Sequence, residues 1–177
     1  KPEKGVEPTM AFREITPYEL EGNLFKMIAK DWALITAEAD GKANAMTISW
    51  GGFGQLWNEL VAFTFVRPQR YTYGLTEASD VYSVSFYEEK YRKELGYFGS
   101  ASGRDEDKFQ KTGFHLAHED GVPYPEEAKV VLLCQKLYAH TLTEEEFLCK
   151  EVMEKSYPER DFHKMYVGKI LKVLVRE

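Results

Sequence analysis

The dipeptide Asp40-Gly41 sits between two runs of strand-forming residues, 32–38 and 44–50, and this constrains the fold more than any other feature. An Asp-Gly pair tolerates the positive φ angles of a tight hairpin turn, so the flanking runs are predicted to pair antiparallel. Further runs of strand length and apolar or β-branched character follow at 60–66, 81–87, 128–142 and 165–175. Pro68 closes the 60–66 run, because proline offers no amide to a ladder. Five or six strands with helices inserted between them predict a mainly β, α+β chain, a closed or partly closed β-barrel. A parallel α/β sheet is disfavoured, since long helical crossovers do not alternate regularly with the strands.

The inserted helices have their own signals. Thr16-Pro17-Tyr18-Glu19 places a capping residue, a first-turn proline and a capping-box acid in order. Leu20, Leu24, Met27 and Ile28 then recur at helical spacing, predicting one amphipathic helix to about Lys30. Gly51, Gly52 and Gly54 read as a loop. Short helices are expected at 70–78, 88–97 and 105–111, the last ended by Gly113. Residues 99–103 read as a small-residue loop, and Pro123, Pro125 and Pro158 as loop punctuation. The acidic stretch 143–157 reads as helix-prone, its Thr143-Glu144-Glu145-Glu146 repeating the capping-box pattern. Residues 1–15 are expected to be an N-terminal extension, and 16–177 a single domain.

Composition removes several function classes. The chain has 177 residues, 44% of them hydrophobic and 29% charged, enough for a core without covalent staples. Lysine and arginine number 23 against 29 acidic residues, a net charge of -6, which argues against nucleic acid as a partner. The longest apolar runs, such as 130–134, fall far short of the roughly 20 residues of a membrane helix. The N-terminal residues show no apolar run of signal-peptide type, and two cysteines build no disulfide framework. A reducing, cytoplasmic setting without membrane association is therefore expected. Aromatic residues reach 14%. They serve either as ordinary core or as walls for a flat, conjugated ligand.

Familiar catalytic motifs are missing. There is no dinucleotide fingerprint, no P-loop and no Gly-x-Ser-x-Gly elbow. His115 and His118 lie three apart without a second ligand pair, so a metal centre is not expected. Three polar clusters remain. In Asn44-Ala45-Met46-Thr47-Ile48-Ser49-Trp50, alternation puts Thr47 and Ser49 on one face and Met46, Ile48 and Trp50 on the other. Arg67-Pro68-Gln69-Arg70-Tyr71-Thr72-Tyr73 brings two guanidiniums to a strand end and a helix start, a phosphate seat or else two solvated arginines. Gly99-Ser100-Ala101-Ser102-Gly103-Arg104-Asp105-Glu106-Asp107-Lys108 offers small residues and hydroxyls to an anion, or else a flexible linker. Together they point to a ligand that is phosphorylated and flat.

These segments, in this order, resemble the flavin reductase-like family of FMN-binding split β-barrels, including its flavoredoxin branch. The resemblance is carried by residues 44–52, Leu56-Trp57-Asn58, 65–73, 99–109 and Tyr166-Val167-Gly168-Lys169-Ile170, and spans about 16–175. It implies a homodimer with one FMN per subunit at or near the subunit interface. By the same resemblance Met46, Thr47, Ile48, Ser49 and Trp50 line the isoalloxazine ring. Arg67, Arg70, Tyr71 and Thr72 hold the phosphate and ribityl chain, while Ser100, Ser102, Gly103 and Lys108 close over the phosphate. Lys169 departs from the pattern, which leads to an acidic residue there, and 143–157 receives no role.

The resemblance implies an oxidoreductase that takes hydride from NADH or NADPH and passes electrons to a second acceptor. The flavin supplies the chemistry, so no residue is assigned as a covalent catalyst. Two alternatives stay open: a flavoredoxin-like electron-transfer protein served by a redox protein partner, and a non-catalytic flavin-binding protein. His163 reads either as a surface histidine or as a group near the flavin whose charge changes near neutral pH.

Overall fold

The computed structural model describes residues 11–177. Ten strands and five short α-helices alternate along the described chain. Strand β1 (Phe12–Ile15) leads through a 3-10 turn (Pro17–Glu19) to helix α1 (Leu24–Lys26), which widens into a π-turn over Met27–Asp31. Strands β2 (Ala33–Ala39), β3 (Lys42–Ile48), β4 (Gly51–Leu56) and β5 (Glu59–Val66) form two successive hairpins. Helix α2 (Tyr71–Ala78), strand β6 (Val81–Phe86), helix α3 (Arg92–Ser100) and helix α4 (Lys108–Thr112) follow. The chain ends with a small hairpin, β7 (Leu116–Glu119) and β8 (Val122–Pro125), then β9 (Val130–Thr141), α5 (Lys150–Ser156) and β10 (Lys164–Arg176).

Eight strands make one antiparallel sheet in the order β3-β2-β6-β9-β10-β5-β4, with β1 also on β10. The long β10 organises it. One edge of β10 pairs with β9; the other holds β5 against its first half and β1 against its last residues. Register shifts at Val167/Gly168 and Ile170/Lys172 let this strand bend. The expected hairpin at Asp40-Gly41 is present, with φ of 51° and 73°, both on the positive side that a type I′ turn requires. Trp57-Asn58 and Asp120-Gly121 repeat that geometry in the other two hairpins.

Alternate residues feed two cores. Ala33, Ile35, Val84, Phe86, Leu132 and Cys134 pack on the inner face; Leu34, Val131 and Leu133 pack outward under Leu95, Phe98, Phe109 and Phe114. Burial on both faces explains why 130–134 is continuously apolar.

Several local expectations are corrected. The helix expected over 17–30 is broken, because Gly22 adopts a φ of 117° and Asn23 caps a new start by accepting the Lys26 amide at 3.1 Å. Gly51, Gly52 and Gly54 lie in strand β4, not a loop. Gly51 faces the Phe63 carbonyl so closely that a Cβ would stand 2.7 Å from that oxygen. Pro123 and Pro125 belong to β8, and Gly99 and Ser100 to the end of α3. Helix α4 starts at Lys108, not 105, because Asp107 Oδ1 accepts the Phe109 and Gln110 amides at 3.0 and 3.2 Å. The 88–97 helix is a 3-10 turn (Glu89–Tyr91) followed by α3, and 143–157 is a 3-10 turn (Glu144–Glu146) followed by α5. Residues 12–15, assigned to the extension, form a strand on β10; residues 1–10 of that extension lie outside the described residues.

Candidate functional site

Strand ends converge at one end of the sheet. β3 delivers Met46, Thr47 and Ile48, and its exit delivers Ser49 and Trp50. β5 delivers Phe65 and then Arg67. Arg70 stands at the N-terminus of α2, and His163 directly precedes β10. The register brings the last two strands together, since Val66 pairs with Lys164. These nine residues line one groove of about 200 Å³, open to solvent on one side. A ligand pocket that encloses its guest measures about 300–1,000 Å³, so this groove holds part of a guest and leaves the rest uncovered.

The two arginines differ in electrostatic state. Arg67 Nη1 donates to Asp161 Oδ2 at 2.5 Å and Nη2 to the Ser156 carbonyl at 3.2 Å, with the guanidinium 5.2 Å from the Tyr157 ring centre. Gln69 Nε2 donates to the same Asp161 oxygen at 2.7 Å; this bond, with Arg67, holds the Asp161 carboxyl below its ordinary range. Arg67 thus already has its counter-charge. Among the described residues Arg70 donates only to carbonyls, Gly99 at 2.9 Å and Phe98 at 3.5 Å, and burial lowers its pKa. A cation without a carboxylate is the half of the pair left for an anionic ligand.

His163 is only 8% exposed. Its ring lies 5.1 Å from that of Trp50, 6.5 Å from Phe65 and 5.6 Å from Tyr157, and its Nδ1 is 2.8 Å from the Tyr157 hydroxyl. Burial, aided by Arg67, pushes its pKa down to about 4. Of the two readings of His163, the surface histidine is corrected, since the ring is buried in the groove wall; the lowered pKa also moves its change of charge away from neutral pH.

Of the thirteen residues singled out by sequence, the groove collects seven: Met46, Thr47, Ile48, Ser49, Trp50, Arg67 and Arg70. The other six lie elsewhere. Thr72 is buried, accepting from Asn44 Nδ2 at 2.9 Å. Tyr71, Gly103 and Lys108 line a neighbouring depression with Asn44 and Arg104. Gly103 is pressed against Asn44 and Tyr71, and Ser102 Oγ accepts the Arg104 amide at 3.2 Å. Ser100 Oγ donates back to the Gly96 carbonyl at 3.0 Å. Lys108 is 2% exposed, its Nζ donating to the Ala45 and Phe98 carbonyls at 3.1 and 2.8 Å. Even within the groove Thr47 Oγ1 is engaged, by the Leu95 carbonyl at 2.5 Å, whereas Ser49 makes no side-chain bond among the described residues. Lys169, the departure from the pattern, pairs with Glu59 at 3.0 Å. Phe65 escaped the sequence reading; its place one residue before the Val66-Arg67 strand end was the available signal.

Comparison with known proteins agrees with this architecture. A family model described as flavin reductase like domain matches residues 25–177. A search of curated proteins found no significant match. Among solved structures, a flavoredoxin from Methanosarcina acetivorans is 24% identical with a TM-score of 0.64, covering 83% of this chain and 69% of that one. An FMN-binding protein from Thermus thermophilus, with bound p-hydroxybenzaldehyde, is 23% identical with a TM-score of 0.66 and coverages of 92% and 83%. A split-barrel protein from Shewanella frigidimarina, described as a flavin reductase, is 15% identical with a TM-score of 0.66 and coverages of 90% and 77%. The likeness extends to the split-barrel fold.

Proposed function

The chain belongs to the flavin reductase-like domain family, and on that premise we propose that it is an FMN-dependent oxidoreductase that accepts hydride from NADH or NADPH and delivers electrons to a second acceptor. One observation carries the reading: five consecutive residues from the end of β3 and its exit, the Phe65 ring and a guanidinium with no carboxylate partner among the described residues meet in a single groove. That donor set fits a phosphorylated flat ring. When bound, FMN supplies the hydride- and electron-accepting chemistry.

The chain's own residues do the rest. Arg70 takes the phosphate, being the groove arginine that has no carboxylate partner among the described residues. Trp50 and Phe65 give the ring system an apolar wall. Ser49 keeps its hydroxyl for the ligand, and Thr47, whose hydroxyl is committed to Leu95, contributes backbone. Arg67, tied to Asp161, lies over the Tyr157 ring that backs His163. The uncovered side of the groove supports a second copy of the chain completing the site, in line with the homodimer that the sequence resemblance implies.

The test is anaerobic mixing of the FMN-loaded protein with NADH or NADPH. Oxidised-flavin absorbance should bleach within minutes; flavin that stays oxidised removes the nicotinamide step. A second reading, an electron-transfer protein served by a redox protein, is favoured by the likeness to a flavoredoxin and by Trp50 standing 49% exposed at the groove mouth. It predicts rapid bleaching by a reduced iron–sulfur protein instead.

A further inference from the structure

We infer that Tyr157 fixes the imidazole of His163 as its Nε2–H tautomer, so that the groove presents a neutral hydrogen-bond donor to a carbonyl oxygen on the flat ligand it holds. The tautomer stands on the structure alone; the ligand half rests on the flavin reading above.

The argument is one of proton placement. Tyr157 is 4% exposed, and its hydroxyl has His163 Nδ1, at 2.8 Å, as its one side-chain partner among the described residues. If Nδ1 donated to the phenol oxygen, the phenol's own proton would be buried without an acceptor, costing about 1–3 kcal/mol. The phenol therefore donates, Nδ1 accepts, and the imidazole proton sits on Nε2. Burial holds both groups neutral, raising the Tyr157 pKa and lowering that of His163 to about 4. Arg67 further opposes protonation of His163. Asp161 favours it, more weakly than Arg67 opposes it, and its Oδ2 is held by Arg67 and Gln69.

His163 is more than nine-tenths buried, lines the groove, and its Nε2 has no protein partner among the described residues. A fixed neutral donor selects a carbonyl oxygen over an ammonium or another donor. The rings of Trp50 and Phe65 beside it favour an acceptor that belongs to a flat system. Two sources share this chemistry: a carbonyl of the isoalloxazine, or the carbonyl of a second ring lying over it. Tyr157 ends the 143–157 stretch, to which sequence reading assigned no role.

The experiment is 15N-histidine NMR of the ligand-free protein at neutral pH, the His163 signals being identified by their loss in His163→Phe. A pyrrole-type Nε2 and a pyridine-type Nδ1 are expected, and in Tyr157→Phe the two should average. The reverse assignment, or a spectrum unaltered in Tyr157→Phe, overturns the proposal, and the wild-type spectrum decides the tautomer even if that variant does not fold. Riboflavin phosphate is then added, followed by nicotinamide. A shift of the Nε2–H signal on the first addition assigns the carbonyl to the flavin, and on the second alone to the overlying ring; no shift on either overturns the donor role. His163→Phe should weaken the responsible ligand by about 2- to 13-fold, the range of one neutral hydrogen bond. If flavin fails to bind at all by fluorescence, the reading of the groove falls with the ligand half, while the tautomer has been decided separately.

Discussion

Arg70 and Lys108 donate to the same oxygen: the Phe98 carbonyl lies 3.5 Å from Arg70 Nη2 and 2.8 Å from Lys108 Nζ. This carbonyl is at the C-terminus of α3, where the helix dipole is negative and favours cations. Two cations on one carbonyl still carry more charge than a helix end neutralises. Arg70 is among the causes that lower the Lys108 pKa. An anion taken up by Arg70 would relieve this excess and so couple the packing of α3 on β3 to the occupancy of the groove.

Arg70→Ala is therefore expected to weaken FMN by about 1.5–3 kcal/mol, the scale of a hydrogen bond to a charged group. Riboflavin, which has no phosphate, should bind as before. Arg67→Ala should cost less affinity, because Asp161 already neutralises that guanidinium. Parallel fluorescence titrations of both flavins decide it. A larger FMN loss in Arg67→Ala than in Arg70→Ala would move the anchor to the wrong arginine.

Lys108 predicts an alkaline signature. Burial brings its pKa in the folded chain to about 8, from 10.5. Between these values the unfolded chain binds the proton and the folded one does not, so this residue adds stability as pH rises from about 8 to 10.5. Below pH 8 the buried charge is a penalty. In Lys108→Met that increment should vanish, while the Ala45 carbonyl loses the lysine donor, the Phe98 carbonyl keeps only Arg70 and overall stability falls. Urea denaturation of both proteins at several pH values across this window measures the difference. Equal pH slopes would mean that Lys108 stays protonated in the fold.

Local chemistry was legible in the sequence wherever it settled the matter. Asp40-Gly41 gave its hairpin because the dipeptide itself sets the backbone angles. Asp120-Gly121 carries the same signal, yet Pro123 and Pro125 mask it; both fit because they occupy a two-stranded ribbon off the main sheet. Trp57-Asn58 makes a turn of the same type with no glycine, on angles a tryptophan rarely adopts. Both arginines were readable, since a proline-marked strand end places them; the 46–50 ribbon came from the family resemblance, because alternation alone divides its five residues between two faces, whereas one groove collects them all. The environment of His163 was not readable. Its neighbours Trp50, Phe65 and Tyr157 come from three separate parts of the chain, and burial alone turns a titrating residue into a neutral one. Lys108 misled for a related reason: a lysine opening a helix after small residues looks the same whether it points to an anion or under a strand.

Gly103 tests whether that small-residue stretch is a flexible cradle or packed structure. A Cβ there would stand 2.5 Å from Tyr71 Cδ1 and 2.7 Å from the Asn44 side chain, which itself bonds Thr72. Gly103→Ala should destabilise the fold by about 1–3 kcal/mol, the cost of overpacking. The measurement is the shift in denaturation midpoint without ligand. Unchanged stability would show that the loop moves aside freely, as a mobile cradle would.

His163 predicts the acid limb of stability. Its folded pKa of about 4 lies below the ordinary 6.5, so the unfolded chain binds the proton first as pH falls. Stability from this residue is complete above pH 6.5 and declines progressively as pH falls to about 4, where the buried ring must charge beside Arg67. His163→Phe keeps a ring against Trp50 and Phe65 but has nothing to titrate. It should lose the Tyr157 hydrogen bond at all pH values and show a flatter stability curve between pH 6.5 and 4. Denaturation midpoints of wild type and variant across that interval provide the test: two curves that fall in parallel would mean that the acid sensitivity arises elsewhere and that His163 protonates without cost.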